Sequence, residues 1–136
     1  MRTECIAKLI ILSLPGILWG CHDFGEPAIV QTPHGNFVLF VSNQSSQTNP
    51  VDIKVYLDGR LAVNQDFLVG SGHNEVRFEY QLERGTHTLR SISTRGQTDT
   101  TATFDLPSTP WAVVAFWQDG ERKFTIFFCA DPPGFM

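Results

Sequence analysis

Apolar and polar residues alternate with a period of two along most of the chain beyond Phe37. This alternation is typical of β-strands that bury one face. The apolar runs are short, rich in β-branched and aromatic residues, and separated by Gly, Pro, Asn or Asp, and none has a helical period. They predict an all-β fold, an antiparallel β-sandwich. The predicted strands are FVLFVSN, VDIKVYL, RLAVNQDFLV, NEVRFEYQL, THTLRSIST, DTTATFDL, WAVVAFW and KFTIFFC.

The stretch VDIKVYLDGRLAV predicts a tight hairpin between the second and third strands. A two-residue Asp58-Gly59 turn would mix apolar and polar residues on both faces of the hairpin. A three-residue loop that also includes Leu57 pairs Val55 with Leu61 and keeps one apolar face whole. We therefore predict the three-residue loop.

The last two strands predict a hairpin around Gly120. Its first face is entirely apolar, so we expect it to pack in the core. The residues of this first face are Ala112, Val114, Phe116, Phe124, Ile126 and Phe128. The second face mixes aromatic and polar residues, namely Trp111, Val113, Ala115, Trp117, Lys123, Thr125, Phe127 and Cys129.

The second face of this hairpin has two interpretations. Aromatic rings set among polar groups can stack on sugars or hold an apolar peptide, and an exposed apolar patch usually marks an interaction site. Alternatively the hairpin is covered on both sides and the tryptophans belong to the core, as is usual for strands that are apolar on both faces. The candidate binding residues are Trp111, Trp117, Lys123, Thr125 and Phe127.

The segment YQLERGTHTLRS resembles the corner between two late strands of many immunoglobulin-like (Ig-like) domains. In those domains a tyrosine of the corner hydrogen-bonds back to the backbone. Here His87 replaces the tyrosine and Leu89 replaces a disulfide cysteine. We expect a structural His87, because no nucleophile or orienting acid stands at a telling spacing from it.

FVLFVSNQS, VDIKVYLDGR and FEYQLERGTHTLRS together resemble CARDB modules, the Ig-like adhesion-related domains of bacterial surface proteins. The resemblance covers Phe37 to Leu106 and implies an Ig-like β-sandwich. It implies adhesion or binding only by analogy, because such sandwiches host many functions. Residues 111–129 are an added C-terminal hairpin, and we assign residues 37–136 to one domain.

The first 20 residues have the layout of a secretory signal peptide: a cationic start, a short apolar run and a small residue at the end. The apolar run is too short for a membrane-spanning helix and contains Pro15-Gly16. Its end, Leu18-Trp19-Gly20-Cys21, resembles the lipobox of bacterial lipoproteins. In that family the cysteine thiol takes a diacylglycerol, the peptidase cuts before the cysteine, and the new amino group is usually acylated. Trp19 is bulkier than the usual residue at its lipobox position. The alternative is ordinary secretion with Cys21 as a plain thiol.

Charge and cysteine content agree with an exported, lipid-anchored domain. The chain has three cysteines, and cleavage before Cys21 would leave only Cys129 in the folded part, so we expect no disulfide framework. Loss of Arg2, Lys8 and Glu4 from ten basic and fourteen acidic residues leaves eight and thirteen, a net charge of −5. An acidic chain with scattered basic residues argues against nucleic acid as a partner.

Residues 21–36 contain prolines and glycines without a sustained period, and we predict a flexible tether. His22 and His34 lie there, but no further metal ligands stand at a recognised spacing, so we expect solvated histidines and no metal site. His22, following the cysteine, is not the aspartate that typically retains lipoproteins at the inner membrane. In an organism with two membranes this favours the outer membrane.

These patterns predict a lipid-anchored protein of the cell envelope that acts as a non-catalytic binding or structural module, with an unknown protein or glycan as its ligand. The alternative is a subunit of an envelope assembly that docks a partner through the C-terminal hairpin or a sheet edge. A small envelope enzyme fits least well, because the sequence has no nucleophile elbow, metal cluster or phosphate loop. We expect no cofactor.

Overall fold

The computed structural model describes residues 27–70 and 74–134, and its secondary structure consists of β-strands and turns. The predicted signal peptide, residues 1–20, and Cys21 lie outside the described residues. All eight predicted strands are confirmed, with ends shifted by a few residues at most. The strands are β1 (Phe37–Asn43), β2 (Val51–Leu57), β3 (Arg60–Phe67), β4 (Val76–Tyr80), β5 (Gly85–Ser93), β6 (Thr98–Leu106), β7 (Trp111–Asp119) and β8 (Glu121–Cys129).

The strands form two four-stranded sheets, which we call sheet A and sheet B. Sheet A has the order β4-β1-β7-β8, and sheet B has the order β3-β2-β5-β6. All pairings are antiparallel except that of β1 with β7, which is parallel. The predicted β-sandwich is therefore confirmed, with one parallel pair in a fold that we expected to be antiparallel throughout.

The strand order explains how the C-terminal hairpin joins an Ig-like framework. The order of sheet B corresponds to strands C′, C, F and G of Ig-like domains, while β1 and β4 correspond to strands B and E. Strand β7 pairs with the side of β1 on which strand A lies in those domains. The hairpin therefore completes sheet A instead of adding a separate layer.

The core lies between the sheets and is formed by the inward-facing residue of each alternating pair. Tyr80, Phe37 and Phe116 are the largest fully buried side chains. Phe37 stacks on Phe104 at 4.6 Å between ring centroids, and this contact joins sheet A to sheet B. Burial raises the pKa of Tyr80 to about 12, and its hydroxyl donates a 2.9 Å hydrogen bond to the Ala62 carbonyl.

The β2–β3 hairpin differs from the prediction. Its turn contains two residues, Asp58 and Gly59, both with positive φ, and Leu57 pairs with Arg60. A β-bulge then shifts the register, so that Val55 pairs with Val63 and not with Leu61. The bulge takes up one extra residue of β3 and thereby keeps the core-facing side chains on one face. The predicted three-residue loop would have placed that extra residue in the turn.

The β7–β8 hairpin has the predicted register. Phe116 pairs with Phe124 and Trp117 pairs with Lys123, as expected from a turn centred on Gly120. Phe116 and Phe124 are buried, and Phe116 has no exposed surface. The first face therefore packs in the core as predicted.

Residues 27–36, the described part of the predicted tether, contact both sheets. The Ile29 amide donates a 2.9 Å hydrogen bond to the Leu61 carbonyl of β3, and the Ile29 side chain packs against the core. The Thr32 amide donates to the Glu79 carbonyl of β4 at 3.0 Å. This segment consequently runs along the side of the sandwich formed by β3 and β4.

Candidate binding face

The predicted binding residues all lie on the outer face of sheet A, opposite the core. Their pairing partners fix this arrangement: Trp111 lies beside Cys129, Val113 beside Phe127, and the remaining rows follow at intervals of two residues. Strand β1 adds Val38 next to Trp111 and Phe40 next to Val113. We call the outer side of β7 and β8 the aromatic face. Its residues are Trp111, Val113, Ala115, Trp117, Lys123, Thr125, Phe127 and Cys129.

One end of the aromatic face is covered. Val38, Phe40 and Val113 form a second buried cluster outside the main core, and the half-buried Trp111 packs against it. The Arg77 guanidinium lies 5.9 Å from the ring centroids of both Phe40 and Trp111, which is a cation–π geometry. Trp111 is therefore a structural residue of this cluster to a large extent, in line with the interpretation that the face is covered.

The rest of the aromatic face, along β8 and at the Trp117 end of β7, is more exposed. Trp117 is 39% exposed and Phe127 is 44% exposed, while Lys123 is exposed and Thr125 is partly buried. Buried aromatic side chains normally contribute through lost solvent contact, so rings that keep this much exposed surface contribute less to the fold. Each interpretation therefore holds for one part of the face: the part beside β1 at the Trp111 end is covered, and the part along β8 and around Trp117 is exposed.

The exposed part of the aromatic face extends over three rows of paired residues, from the Val113–Phe127 pair to the Trp117–Lys123 pair. Trp117 and the Val113–Phe127 pair lie four residues apart along β7, a separation of ~13 Å for an extended strand. The row between them carries the smaller side chains of Ala115 and Thr125. Two aromatic residues therefore flank a lower row with a hydroxyl group, and Lys123 lies beside Trp117. This arrangement can hold a planar or apolar group and donate hydrogen bonds at its border.

Cys129 lies at the covered end of the aromatic face and is a free, partly buried thiol. Within residues 27–70 and 74–134, no three His, Cys, Asp or Glu side chains are grouped so as to hold a metal ion. His34, the described histidine of the predicted tether, is exposed, and its amide donates a 2.7 Å hydrogen bond to Glu79.

His87 occupies the corner position that the sequence assigns to it. Its Nε2 lies 2.6 Å from the Glu83 carbonyl, four residues upstream, and its ring stacks on Phe104. Its Nδ1 lies 2.6 Å from Oδ2 of Asp58, a contact that the sequence did not predict. Both partners are acceptors, so the geometry favours an imidazolium that donates from both nitrogens. Burial lowers the pKa of His87, but the hydrogen bonds to Asp58 and Glu83 raise it by a larger amount. The pKa of His87 is therefore raised above its ordinary value.

A depression of about 440 Å³ lies on the outer face of sheet B. Two of its charged side chains already have partners, because Arg90 binds Asp99 with contacts of 2.6 and 2.9 Å and Asp58 binds His87. The depression therefore offers hydroxyl groups and the Tyr56 ring but few free charges. Its lining residues are Tyr56, Asp58, Gly59, Thr88, Arg90 and Thr101.

Comparison with protein-family models, curated proteins and solved structures yields no match for this chain. The part of the chain that the structure describes contains no helix with the length and apolarity that a membrane crossing requires. The site must therefore be interpreted from its own geometry. On the aromatic face, two large exposed aromatic side chains, Trp117 and Phe127, lie on the same side of one sheet.

Proposed function

We propose that this chain is a lipid-anchored protein of the cell envelope and a non-catalytic binding module whose aromatic face contacts a protein or glycan ligand. The observation that carries this proposal is the exposure of Trp117 and Phe127 on the same sheet face, next to Lys123 and Thr125. Aromatic residues are enriched at interaction surfaces because they bury a large area and retain specific geometry. The ligand itself is unknown.

The proposed anchor rests on the sequence Leu18-Trp19-Gly20-Cys21 after a short apolar run. A diacylglycerol on the thiol and an acyl chain on the new amino group would together supply the lipid signals that stable anchoring needs. Because residues 27–36 contact the sandwich, only residues 21–26 would separate the lipid from the domain. Six residues span at most ~20 Å, so an acylated Cys21 would hold the domain close to the membrane.

The proposed location is the cell envelope, on the outer membrane if the organism has two membranes. This proposal draws on the residue after the cysteine, His22, which differs from the aspartate associated with retention at the inner membrane. It involves no nucleic acid, since the predicted mature charge is −5 and the basic residues are scattered. The acidic domain would rely on lipid chains, not on basic residues, for attachment.

The contacts of His87, the candidate catalytic residue, favour a binding role over catalysis. His87 bridges Asp58 and Glu83 and stacks on Phe104, so both of its nitrogens are occupied by structural contacts. A general base needs a free nitrogen within reach of the substrate proton. We therefore assign His87 to the corner of the sandwich and not to a reaction.

The anchor is tested by labelling cells with a fatty-acid analogue. Wild type should incorporate the label and sediment with membranes, whereas Cys21→Ala should do neither. Cys129→Ser is the matched control, because it removes the cysteine of the folded part and should leave both readouts unchanged. A Cys21→Ala protein that is still acylated and membrane-bound would contradict the lipobox interpretation.

The binding face is tested with a glycan array and with affinity capture from envelope extracts. Trp117→Ala and Phe127→Ala should each reduce retention of the captured ligand at least tenfold, as expected for residues at the centre of an interface. Leu68→Ala is the matched control, since Leu68 is 66% exposed, directly follows β3 of sheet B and is not a residue of the aromatic face. Equal retention by all three variants would exclude the aromatic face as the binding surface.

A further inference from the structure

Each sheet of the sandwich ends in two edge strands, and three of the four edges are protected against pairing with another chain. Residues 27–36 cover β4, where Glu79 accepts from the Thr32 amide and its own amide donates to the Gln31 side chain. On β3, the carbonyls of Leu61 and Ala62 accept hydrogen bonds from Ile29 and Tyr80. Covering an edge in this way is a common means of preventing strand addition.

Strand β6 is protected by its composition and β3 also by its bulge. The outward-facing residues of β6 are threonines and the acidic pair Asp99 and Asp105, all solvated or ion-paired. Charged residues and irregularities at an edge disfavour pairing with a second strand. The bulge in the β2–β3 pairing bends that edge between Val55 and Tyr56.

Strand β8 carries charged residues only at its first three positions, Glu121, Arg122 and Lys123, and its second half has none of these protections. It is nine residues long, its pairing with β7 is free of bulges, and it contains no proline. Its second half, Thr125 to Cys129, carries a single polar residue, Thr125, and the Phe127 ring is 44% exposed. Among residues 27–70 and 74–134, no backbone hydrogen bond connects its outer side to another segment. A long, regular edge whose second half is apolar is a template for another strand.

We infer that the β8 edge pairs antiparallel with β8 of a second copy of this chain, so that two sheets A join into one eight-stranded sheet. This inference rests on the edge geometry; it shares Lys123, Thr125 and Phe127 with the proposed binding face, but self-association is measured without any ligand, so the two proposals can fail separately. Two-fold dimers are the commonest closed oligomers, and their interface uses the same surface of both copies.

The sequence of β8 is complementary to itself when two copies pair around Thr125. On the outer face, Thr125 then lies beside its counterpart, and Lys123 lies beside the Phe127 of the other copy. Threonine pairs and cation–aromatic pairs are both favourable across strands. On the inner face, Phe124 lies beside Ile126 of the other copy. The register also keeps the two Lys123 ammonium groups apart, so no like charges face each other at the two-fold axis.

Such pairing would change the aromatic face as well as the edge. The exposed ends of the two faces lie next to each other across the two-fold axis, and Phe127 of each copy is covered in part by Lys123 of the other. The two Trp117 rings remain exposed on the same side of the joined sheet. The dimer therefore presents one continuous surface where a single copy presents a narrow one.

The full-length chain, purified in detergent, tests this inference by sedimentation velocity over a range of concentrations. Wild type should have the mass of two chains at high concentration, and Thr125→Arg should weaken self-association at least tenfold by placing like charges at the axis. Thr103→Arg is the matched control, because it introduces the same charge on the exposed outer side of the β6 edge. A wild type that stays monomeric, or equal weakening by both variants, would overturn the inference.

Hydrogen exchange of the wild type supplies a readout that does not depend on the variants folding. Amides of residues 121–129 should exchange more slowly at high protein concentration, while those of residues 98–106 should not change. Protection elsewhere, with β8 unchanged, would show that association uses another surface and would contradict strand pairing. Protection of β8 only after addition of envelope extract would show that its partner is a different protein.

Discussion

The outer faces of the two sheets differ sharply in polarity. On sheet B the outward positions of β5 and β6 are mostly threonines and charged residues, with Ile92 as the apolar exception, and Arg90 forms an ion pair with Asp99. On sheet A the corresponding positions include Val38, Phe40 and Val113, which are at most 6% exposed. Alternation of apolar and polar residues is therefore regular in sheet B and absent in the central strands of sheet A.

The apolar outer face of sheet A is a feature that the requirements of a sandwich fold do not explain. A sandwich requires one apolar face per sheet, and sheet B supplies no more than that. Sheet A has apolar residues on both faces, and its outer cluster continues into the exposed rings of Trp117 and Phe127. Exposed apolar patches of this kind on a small domain mark surfaces that bind a ligand or another protein.

The largest expected effect separates the two outer faces by stability. Phe40→Ala should lower the free energy of unfolding by about 3 kcal/mol, because Phe40 is 5% exposed and belongs to a buried cluster. Thr101→Ala, on the exposed outer face of sheet B, should change it by about 0.5 kcal/mol or less. Denaturant titration of both variants measures the difference. Similar values would show that the outer cluster of sheet A contributes nothing beyond a solvated surface.

A smaller effect concerns pH and arises at one end of sheet B. The pKa of His87 is raised in the folded chain, since the hydrogen bonds to Asp58 and Glu83 outweigh burial. The stabilisation from the imidazolium is therefore complete below pH 6.5 and is lost as the pH rises through the folded pKa. Denaturant titration should show lower stability at alkaline than at mildly acidic pH. Asp58→Asn should reduce this dependence, and an unchanged dependence in that variant would exclude the His87–Asp58 contact as its cause.

The smallest effect concerns a polar residue on the inner face of sheet B. Ser91 is fully buried, and within the described part of the chain its hydroxyl has no hydrogen-bond partner. An unsatisfied buried hydroxyl destabilises the folded state, so Ser91→Ala should leave stability unchanged or raise it by up to about 1 kcal/mol. Thermal unfolding measures the change. A clear loss of stability would show that Ser91 has a partner, such as an internal water.

The sequence predicts local features well because they depend on neighbouring residues. Alternation with a period of two located all eight strands, and the requirement for one apolar face gave the register of the β7–β8 hairpin. The same requirement failed at the β2–β3 hairpin, because a bulge and a longer loop preserve the apolar face equally well. A positive φ at both Asp58 and Gly59 selected the two-residue turn.

Features that depend on distant segments were not predictable from one sequence. The parallel pairing of β1 with β7 joins residues about 70 positions apart, and no local pattern specifies it. The Asp58 partner of His87 lies 29 residues away, although the Asp-Gly turn marks where a carboxylate could be held in place. The division of the aromatic face into a covered and an exposed part follows from the β1–β7 pairing, because Val38 and Phe40 of β1 pack beside Val113 and Trp111.

The most direct test of the account compares two adjacent residues of β7 that point to opposite sides of sheet A. Phe116 faces the core and is fully buried, whereas Trp117 is 39% exposed on the aromatic face. Denaturant unfolding should show that Phe116→Ala costs about 3–5 kcal/mol and that Trp117→Ala costs about 1 kcal/mol or less. Equal losses for the two variants would show that Trp117 belongs to the core and that the aromatic face is not a binding surface.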